Sequence, residues 1–434
     1  MLSVVMPTFK NAQCLELTLR SLTRQTLSTD LFEVIVVLDG RMNGYDGVER
    51  HAPDIDLRIE TLPQRRGRSV ARNTGIALAK GEVVLFLDSD CYATPQLLER
   101  HYRFHTETPG QRVLLGNRHE IDWPHMTFLV NDDPIPAELI SSPDYRDIKF
   151  HGAADAEIPE RMRTTPWLFA HTNNASVTTE TLAASGWFNE DFGVRWGLED
   201  LELFYRVYLH LGRDPESFHH DVEAASYHLV EYRDQHGFYQ EMFENISLLR
   251  RLHPHLEWEF HSTLSTIDIA DKVCHYRGVI DRCLDDGIGQ VPPVWEWLRP
   301  KLPAGRALVI GTGTGEVAMP DGTMTFDYAA PVSADNYHLV GVAIPVSSGA
   351  FDTVVSVDIW RCLRWHDLCE FLREATRVAS QVLLVHTRTA KVPYDAMRTA
   401  SEIGYLLRTL ESRFVISVER GENGVTGITV RRRA

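Results

Sequence analysis

At 434 residues the chain is too long for one ordinary hydrophobic core, so length alone calls for two or three domains. With 44 Lys plus Arg against 60 Asp plus Glu, the formal net charge is −16. That balance argues against a nucleic-acid or anionic-membrane surface, both of which reward positive charge.

The opening MLSVVMPTF lacks the basic region and long apolar run of a signal peptide and reads as a first strand. From there to about residue 116, short apolar runs alternate with helical patterns: SVVM, CLELTLRSLTRQ, EVIVVLD, SVARNTGIALAK and EVVLFLD. Strand and helix alternating at that pace predict βαβ units, hence a mostly parallel sheet with helices on both faces. Ligands collect at the carboxyl ends of such strands, where Asp39 and Asp88 each lie. In VVLFLDSDCY an apolar run stops on Asp88 and Asp90. Strand alternation turns residues two apart to one side, and two negative charges held together call for a cation. A helix-capping, solvated turn is the plainer alternative.

Residues 117–166 dissolve into Pro, Asp and His, too long for a plain connector, and are expected to hold acceptor contacts. Residues 231–285 turn helical again, with apolar positions recurring at three and four. Pro292, Pro293, Pro300, Pro303 and Gly305 punctuate a second boundary, after which RALVIGTGTG opens another α/β pattern that runs to the end. The closing RRR at 431–433 reads as a solvated tail. The expected division is therefore 1–230, a helical extension over 231–300, and a second α/β domain over 301–434. No stretch approaches the roughly 20 apolar residues that span a bilayer. Six cysteines without a CxxC pair fit reduced thiols rather than a disulfide framework or a zinc site, and the expected location is cytoplasmic.

Six stretches within residues 1–230 carry a resemblance in their order: SVVMPTFKN, VIVVLDG, RRGRSVARNTG, LDSD, GWFNEDF and WGLEDLEL. Together they resemble the family 2 glycosyltransferases, nucleotide-sugar enzymes with a GT-A fold, and imply an inverting, metal-dependent transfer. A hard divalent cation bridging the diphosphate stabilises its departure as a Lewis acid, and an oxygen-rich site suits Mn²⁺ or Mg²⁺. The resemblance implies that Asp90 binds this metal and that Asp88 contacts the ribose, a metal-bound water or the metal itself. His228 in ASYHLVEY is implied as a further ligand, with His219 and His220 as alternatives. Asp39 is implied to accept from the base or ribose beside a wall of Pro7 and Thr8. Leu38 stands where the family often has a second acid, which weakens any inference about the base. Arg66, Arg72 and Asn73 are implied near the diphosphate, with Gly67 and Gly75 allowing close backbone approach. Inversion needs a base for the acceptor proton, and WGLED supplies Asp200, with Glu199 as a sugar-hydroxyl ligand; the two roles could exchange. Acids favoured by a helix N-terminus are the structural alternative. Trp196, with Trp187 and Phe188, is implied as an apolar wall. The donor is expected to be a nucleotide-diphosphate sugar, a UDP-sugar first, and the acceptor a small molecule, peptide or saccharide.

After the second boundary, Gly311, Gly313 and Gly315 follow a strand, an arrangement that lets a nucleotide approach the backbone. The turn from Gly349 to Asp352 and the helix end from Glu374 to Val378 resemble class I methyltransferases that use S-adenosylmethionine. Only residues 316–326 separate Gly315 from Asp327, scarcely enough for a crossover helix. The expectation is a shortened methyltransferase-like domain with a scaffolding or homodimerising role, favoured over S-adenosylmethionine chemistry. A bifunctional transferase and methyltransferase, or a non-catalytic nucleotide-sugar-binding protein, are the competing functions.

Overall fold

The computed structural model describes residues 1–108, 110–140, 146–150, 158–231, 235–261, 265–302, 306–387 and 400–433. The chain divides into two compact units, Met1–Asn245 with Thr263–Asp271, and Ile246–Ser262 with Lys272–Ala434. Helices Gln235–Leu252 and Thr266–Asp285 fill the stretch read as helical, and each has residues in both units.

In the first unit, β1 (Leu2–Thr8), β2 (Phe32–Leu38), β3 (Leu57–Thr61) and β4 (Val83–Leu87) run parallel in the order β3-β2-β1-β4. All seven residues of β2 are buried, as an apolar strand covered on both faces requires. Helix α1 (Ala12–Leu22) turns Leu15, Leu19 and Leu22 into the same core as Val4, Met6, Val34, Val36, Leu85 and Leu87. Their spacing of three and four is that of one helix face. Helix α2 (Arg68–Leu78) packs on β1 where Gly75 leaves room, since a Cβ there would lie 2.4 Å from Val5 Cγ1.

The sheet continues past β4 with a mixed half. Beyond it lie β5 (Cys91–Ala93), helix α3 (Leu97–Glu107), β6 (Val113–Glu120), β7 (Asn174–Thr178) and β8 (Phe218–His228). The full order is β3-β2-β1-β4-β7-β6-β8-β5, with β7 antiparallel to β4 and β6, and β5 antiparallel to β8. Pairing with β8 carries β6 on to Glu120, four residues beyond the expected end of the regular pattern. The region after it holds short helices at Met126–Val130 and Ala137–Ile140, while 141–145 and 151–157 lie outside the described residues.

The second unit is also α/β. Its strands are β9 (Ala307–Ile310), β10 (Met324–Phe326), β11 (Asn336–Tyr337), β12 (Phe351–Val357), β13 (Ala379–His386), β14 (Phe414–Arg420) and β15 (Thr426–Arg432). They form a sheet in the order β11-β10-β9-β12-β13-β15-β14, parallel except that β15 runs antiparallel to both neighbours. Arg431 and Arg432 belong to β15, so ladder bonds to β14 make strand of what reads as a solvated tail. Pro303 and Gly305 of the second boundary lie outside the described residues. Among the described residues no cysteine is in a disulfide, and no helix is long and apolar enough to cross a membrane.

Candidate active site

Strand β4 ends at Leu87, and Asp88 to Asp90 form a turn closed by the Cys91 N–H donating to the Asp88 carbonyl at 3.1 Å. The alternation argument therefore lapses at the residues it was meant to orient. Instead of acting as one pair, the two carboxylates have different partners. Asp88, partly exposed, accepts from Arg72 Nη2 at 3.1 Å. Asp90 is buried, and its Oδ2 lies 3.5 Å from Nε2 of His228.

Sheet pairing explains that second contact. His228 ends β8, opposite Cys91 of β5 on one side and Glu120 of β6 on the other. The Leu229 N–H donates to the Asp90 carbonyl at 2.7 Å, fastening the turn to the end of β8. Nδ1 of His228 lies 2.7 Å from Glu120 Oε2. Burial and the Arg118 charge oppose protonation of His228, but bonds to Asp90 and Glu120 hold its pKa above the ordinary range. The alternatives His219 and His220 stand at the opposite end of β8, paired with Leu114 and Leu115, away from the turn.

Among the described residues, no group of three or more His, Cys, Asp or Glu side chains is assembled as a ready-made metal site. Asp90 Oδ2 and His228 Nε2 form a two-donor edge with one hard anionic oxygen. That set fits Mg²⁺ or Mn²⁺, which take one or two protein ligands and complete their shell with substrate phosphates and water.

A second constellation surrounds Arg72, which is fully enclosed. Its Nη1 donates to Glu199 Oε1 at 2.7 Å while Nη2 holds Asp88. Glu199 and Asp200 open the helix Glu199–His210, whose N-terminal dipole favours acids, and Leu198 before them is left-handed at φ 76°. Burial opposes ionisation of Glu199, yet Arg72 and Arg68 hold its pKa below the usual carboxylate range. Its Oε2 is buried with no partner among the described residues. Asp200 is different: burial first, then the Glu199 charge, push its pKa up to about 7. Its Oδ1 accepts from the Leu201 N–H at 2.9 Å. Two adjacent carboxyl groups thus have their proton affinities driven apart, the arrangement from which acid and base roles are assigned.

The other expected residues divide between wall and frame. Asp39 is buried at the end of β2, and its carboxylate accepts from the backbone N–H of Arg66 at 2.6 Å and of Gly67 at 2.9 Å. It therefore pins the loop that leads into α2. Thr8 donates to Asn11 Oδ1 at 2.6 Å and lies 3.1 Å from the Tyr45 hydroxyl, with Pro7 beside it on β1. The Arg66 side chain is exposed and lies 3.8 Å from Glu190. The Asn73 side-chain amide donates from Nδ2 to the Phe188 carbonyl at 3.0 Å and accepts at Oδ1 from the Phe188 N–H at 2.9 Å, and so fixes the GWFNE turn. Trp196 is anchored by its own backbone, to Glu241 and Asn245, while Phe188 packs edge-on against Phe86. Gly67 has φ 93°, and a Cβ there would lie 1.7 Å from the Gly193 carbonyl. Its close approach, like that of Gly75, is to the chain itself. Sequence reading missed Glu120 and Arg118; alternating opposite charges at a strand end are the only local signal, and pairing with β8 is what gives them meaning.

The glycine loop of the second unit is filled from within. A Cβ on Gly311 would lie 2.7 Å from the Gly289 carbonyl, and one on Gly313 would lie 3.3 Å from Pro292 Cδ. The Thr312 N–H donates to the Gly289 carbonyl, and the Val291 N–H to the Thr312 carbonyl, at 2.7 and 2.9 Å. A single 3-10 turn, Thr314–Glu316, follows. Asp327 Oδ2 accepts from both the backbone N–H and the hydroxyl of Thr314, while its Oδ1 accepts from the Ala329 N–H. The buried Glu259 carboxylate takes the N–H groups of Val340, Gly341 and Ala343. These residues do not fit S-adenosylmethionine: the glycine approach and the end-of-strand carboxylate are already used by the chain.

Residues 3–132 match the family described as Glycosyl transferase family 2. Validoxylamine A glucosyltransferase of Streptomyces hygroscopicus subsp. jinggangensis (strain 5008) is 28% identical over 418 residues, spanning 88% of this chain and 96% of that protein. Chondroitin synthase of Escherichia coli is 29% identical over 225 residues, spanning 48% of this chain and 32% of that protein. The amino-terminal region is a glycosyl transferase family 2 domain, and the chain is a glycosyltransferase.

Proposed function

We propose that the chain is an inverting, metal-dependent transferase of GT-A type that moves a sugar from a nucleotide-diphosphate sugar to a soluble acceptor. The observation that carries this reading is the split carboxyl pair: Glu199 ionised against Arg72, Asp200 with a pKa of about 7 beside it. A general base works best with a pKa near the operating pH, and only one of the two meets that condition. Asp200 takes the proton from the acceptor hydroxyl as the new bond forms, and Glu199 offers its unpartnered Oε2 to a sugar or acceptor hydroxyl.

Asp90 and His228 would hold Mn²⁺ or Mg²⁺, with Asp88 towards the ribose or an ion-bound water. When bound, that ion supplies charge stabilisation for the departing diphosphate. Asp39, Pro7 and Thr8 shape the nucleotide end, Arg66 lies towards the diphosphate, and Trp196 contributes to the wall. Arg72 and Asn73 act from behind, by fixing Asp88, Glu199 and the turn at Phe188. We read 1–230 as the catalytic domain, 231–300 as its helical extension, and 301–434 as a methyltransferase-like domain with a structural role. The self-filled glycine loop supports that last assignment.

The relative that spans nearly the same length is named as a glucosyltransferase, which supports placing UDP-glucose first among donors. The test is a panel of UDP-, GDP- and TDP-sugars with Mn²⁺, read by thermal stabilisation and by release of the nucleotide. At least one donor is expected to stabilise the protein and be turned over. A flat response across the panel overturns the reading.

A further inference from the structure

We propose that Glu120 is a positioning residue that fixes the His228 imidazole so that Nε2 faces the ion held by Asp90. The proposal rests on the reading of Asp90 and His228 as holders of that ion. Glu120 is the last residue of β6 and the direct partner of His228 in the parallel pairing with β8. A carboxylate can only accept, so the 2.7 Å contact from Glu120 Oε2 to Nδ1 requires the hydrogen on Nδ1. With the Nδ1 hydrogen held by Glu120, the nitrogen that gives up its hydrogen to bind an ion is Nε2, which lies 3.5 Å from Asp90 Oδ2. Ligating imidazoles are oriented in this way by a carboxylate on the far nitrogen.

Glu120 is itself held. Its Oε1 accepts from Arg118 Nη2 at 2.6 Å, which stops the carboxylate from turning away from the ring. Arg118 and Glu120, two apart on one strand, share a side of the sheet. The Arg118 backbone N–H in turn donates to Asp147 Oδ2 at 2.9 Å, and Asp147 pairs with Lys149 Nζ at 3.1 Å, with both side chains entirely buried. Lys149 Nζ also donates to the Gly116 carbonyl at 2.9 Å, back on the same strand. A run of alternating charge therefore leads from a solvent-free ion pair to the ring, and each member restricts the next. Its effect on the ion passes through His228.

The experiment titrates Mn²⁺ into the full chain, alone and with UDP, following free Mn²⁺ by electron paramagnetic resonance and imidazole-nitrogen coupling by electron spin-echo modulation. Glu120→Ala is expected to weaken Mn²⁺ binding about 10–100-fold and to reduce the nitrogen coupling. Glu120→Gln, which keeps an acceptor oxygen, should restore part of both, and stands in should the alanine variant fail to fold. In a His228→Ala background, Glu120→Ala should cost nothing further. An equal loss in that background, or unchanged binding in Glu120→Ala or Glu120→Gln while His228→Ala is weakened, overturns the positioning role alone. Unchanged Mn²⁺ binding in His228→Ala overturns the ligand assignment beneath it.

Discussion

The two α/β units place glycines and acids at the ends of parallel strands, yet they use them in opposite ways. In the first unit, Glu199 Oε2 is buried without a partner, Asp200 is held near neutrality, and Asp88 is partly open. In the second, Asp327 has both oxygens taken by the chain, and the glycine loop is lined by Gly289 to Pro292. The difference teaches that a strand-end acid or a glycine run marks where a ligand can sit, while the state of its acceptors tells whether the chain has left room for one. A buried acceptor without a partner is costly, so it persists where a ligand or water completes it.

The largest effect that sharpens this comparison is expected at Asp200. Asp200→Asn should lower kcat by about 10²–10⁴-fold with donor affinity nearly unchanged. In the parent protein kcat/KM should rise with pH through about 7, as this carboxyl loses its proton. Loss of donor binding in the variant would remove Asp200 as the base. Next comes Arg72→Met, which strands two acids around a buried hole. Its urea midpoint should report a loss of about 3–5 kcal/mol, and a change under about 1 kcal/mol would show that the ion pair does not organise the site.

Smaller effects should come from the second unit. Gly311→Ala presses a methyl group against Gly289 and Val291, and should cost about 1–3 kcal/mol while leaving sugar transfer intact below the melting range. Calorimetry with S-adenosylmethionine should give no heat at high micromolar ligand. Heat from the parent protein that this variant abolishes would break the contrast between the units. The smallest effect is on thermal stability. A carboxyl whose folded pKa lies above its unfolded value contributes stability that is full in acid and lost as pH rises through about 7. Asp200→Asn should therefore raise Tm at pH 8, by about 2–4 °C, and the gain should shrink towards pH 5.

Much of this was legible in the sequence. Alternating apolar runs gave the parallel half of the first sheet, and WGLED and LDSD each hold an acid that Arg72 bonds, Glu199 and Asp88. What stayed hidden depends on partners far away along the chain. Arg72 meets Glu199 across 127 residues and Glu120 meets His228 across 108, so spacing carries no trace of either contact. The orientation of Asp88 and Asp90 failed for a local reason: the strand stops at Leu87, and alternation says nothing about a turn. Gly67, Gly75 and the glycines of the second unit suggest room for a ligand, but Gly193, Val5, Gly289 and Pro292 fill that room. A φ value or a gap beside a glycine has no signature of what occupies it.

The parting of Asp88 and Asp90 at the turn has a practical outcome. One wire runs from Asp88 through Arg72 to Glu199, and another from Asp90 through His228 to Glu120. Along the chain, the two peptide units around Ser89 join them. On the proposed reading, an engineer who wishes to retune which hydroxyl is sugared would rework Glu199 and leave Asp90, His228 and Glu120 as they stand.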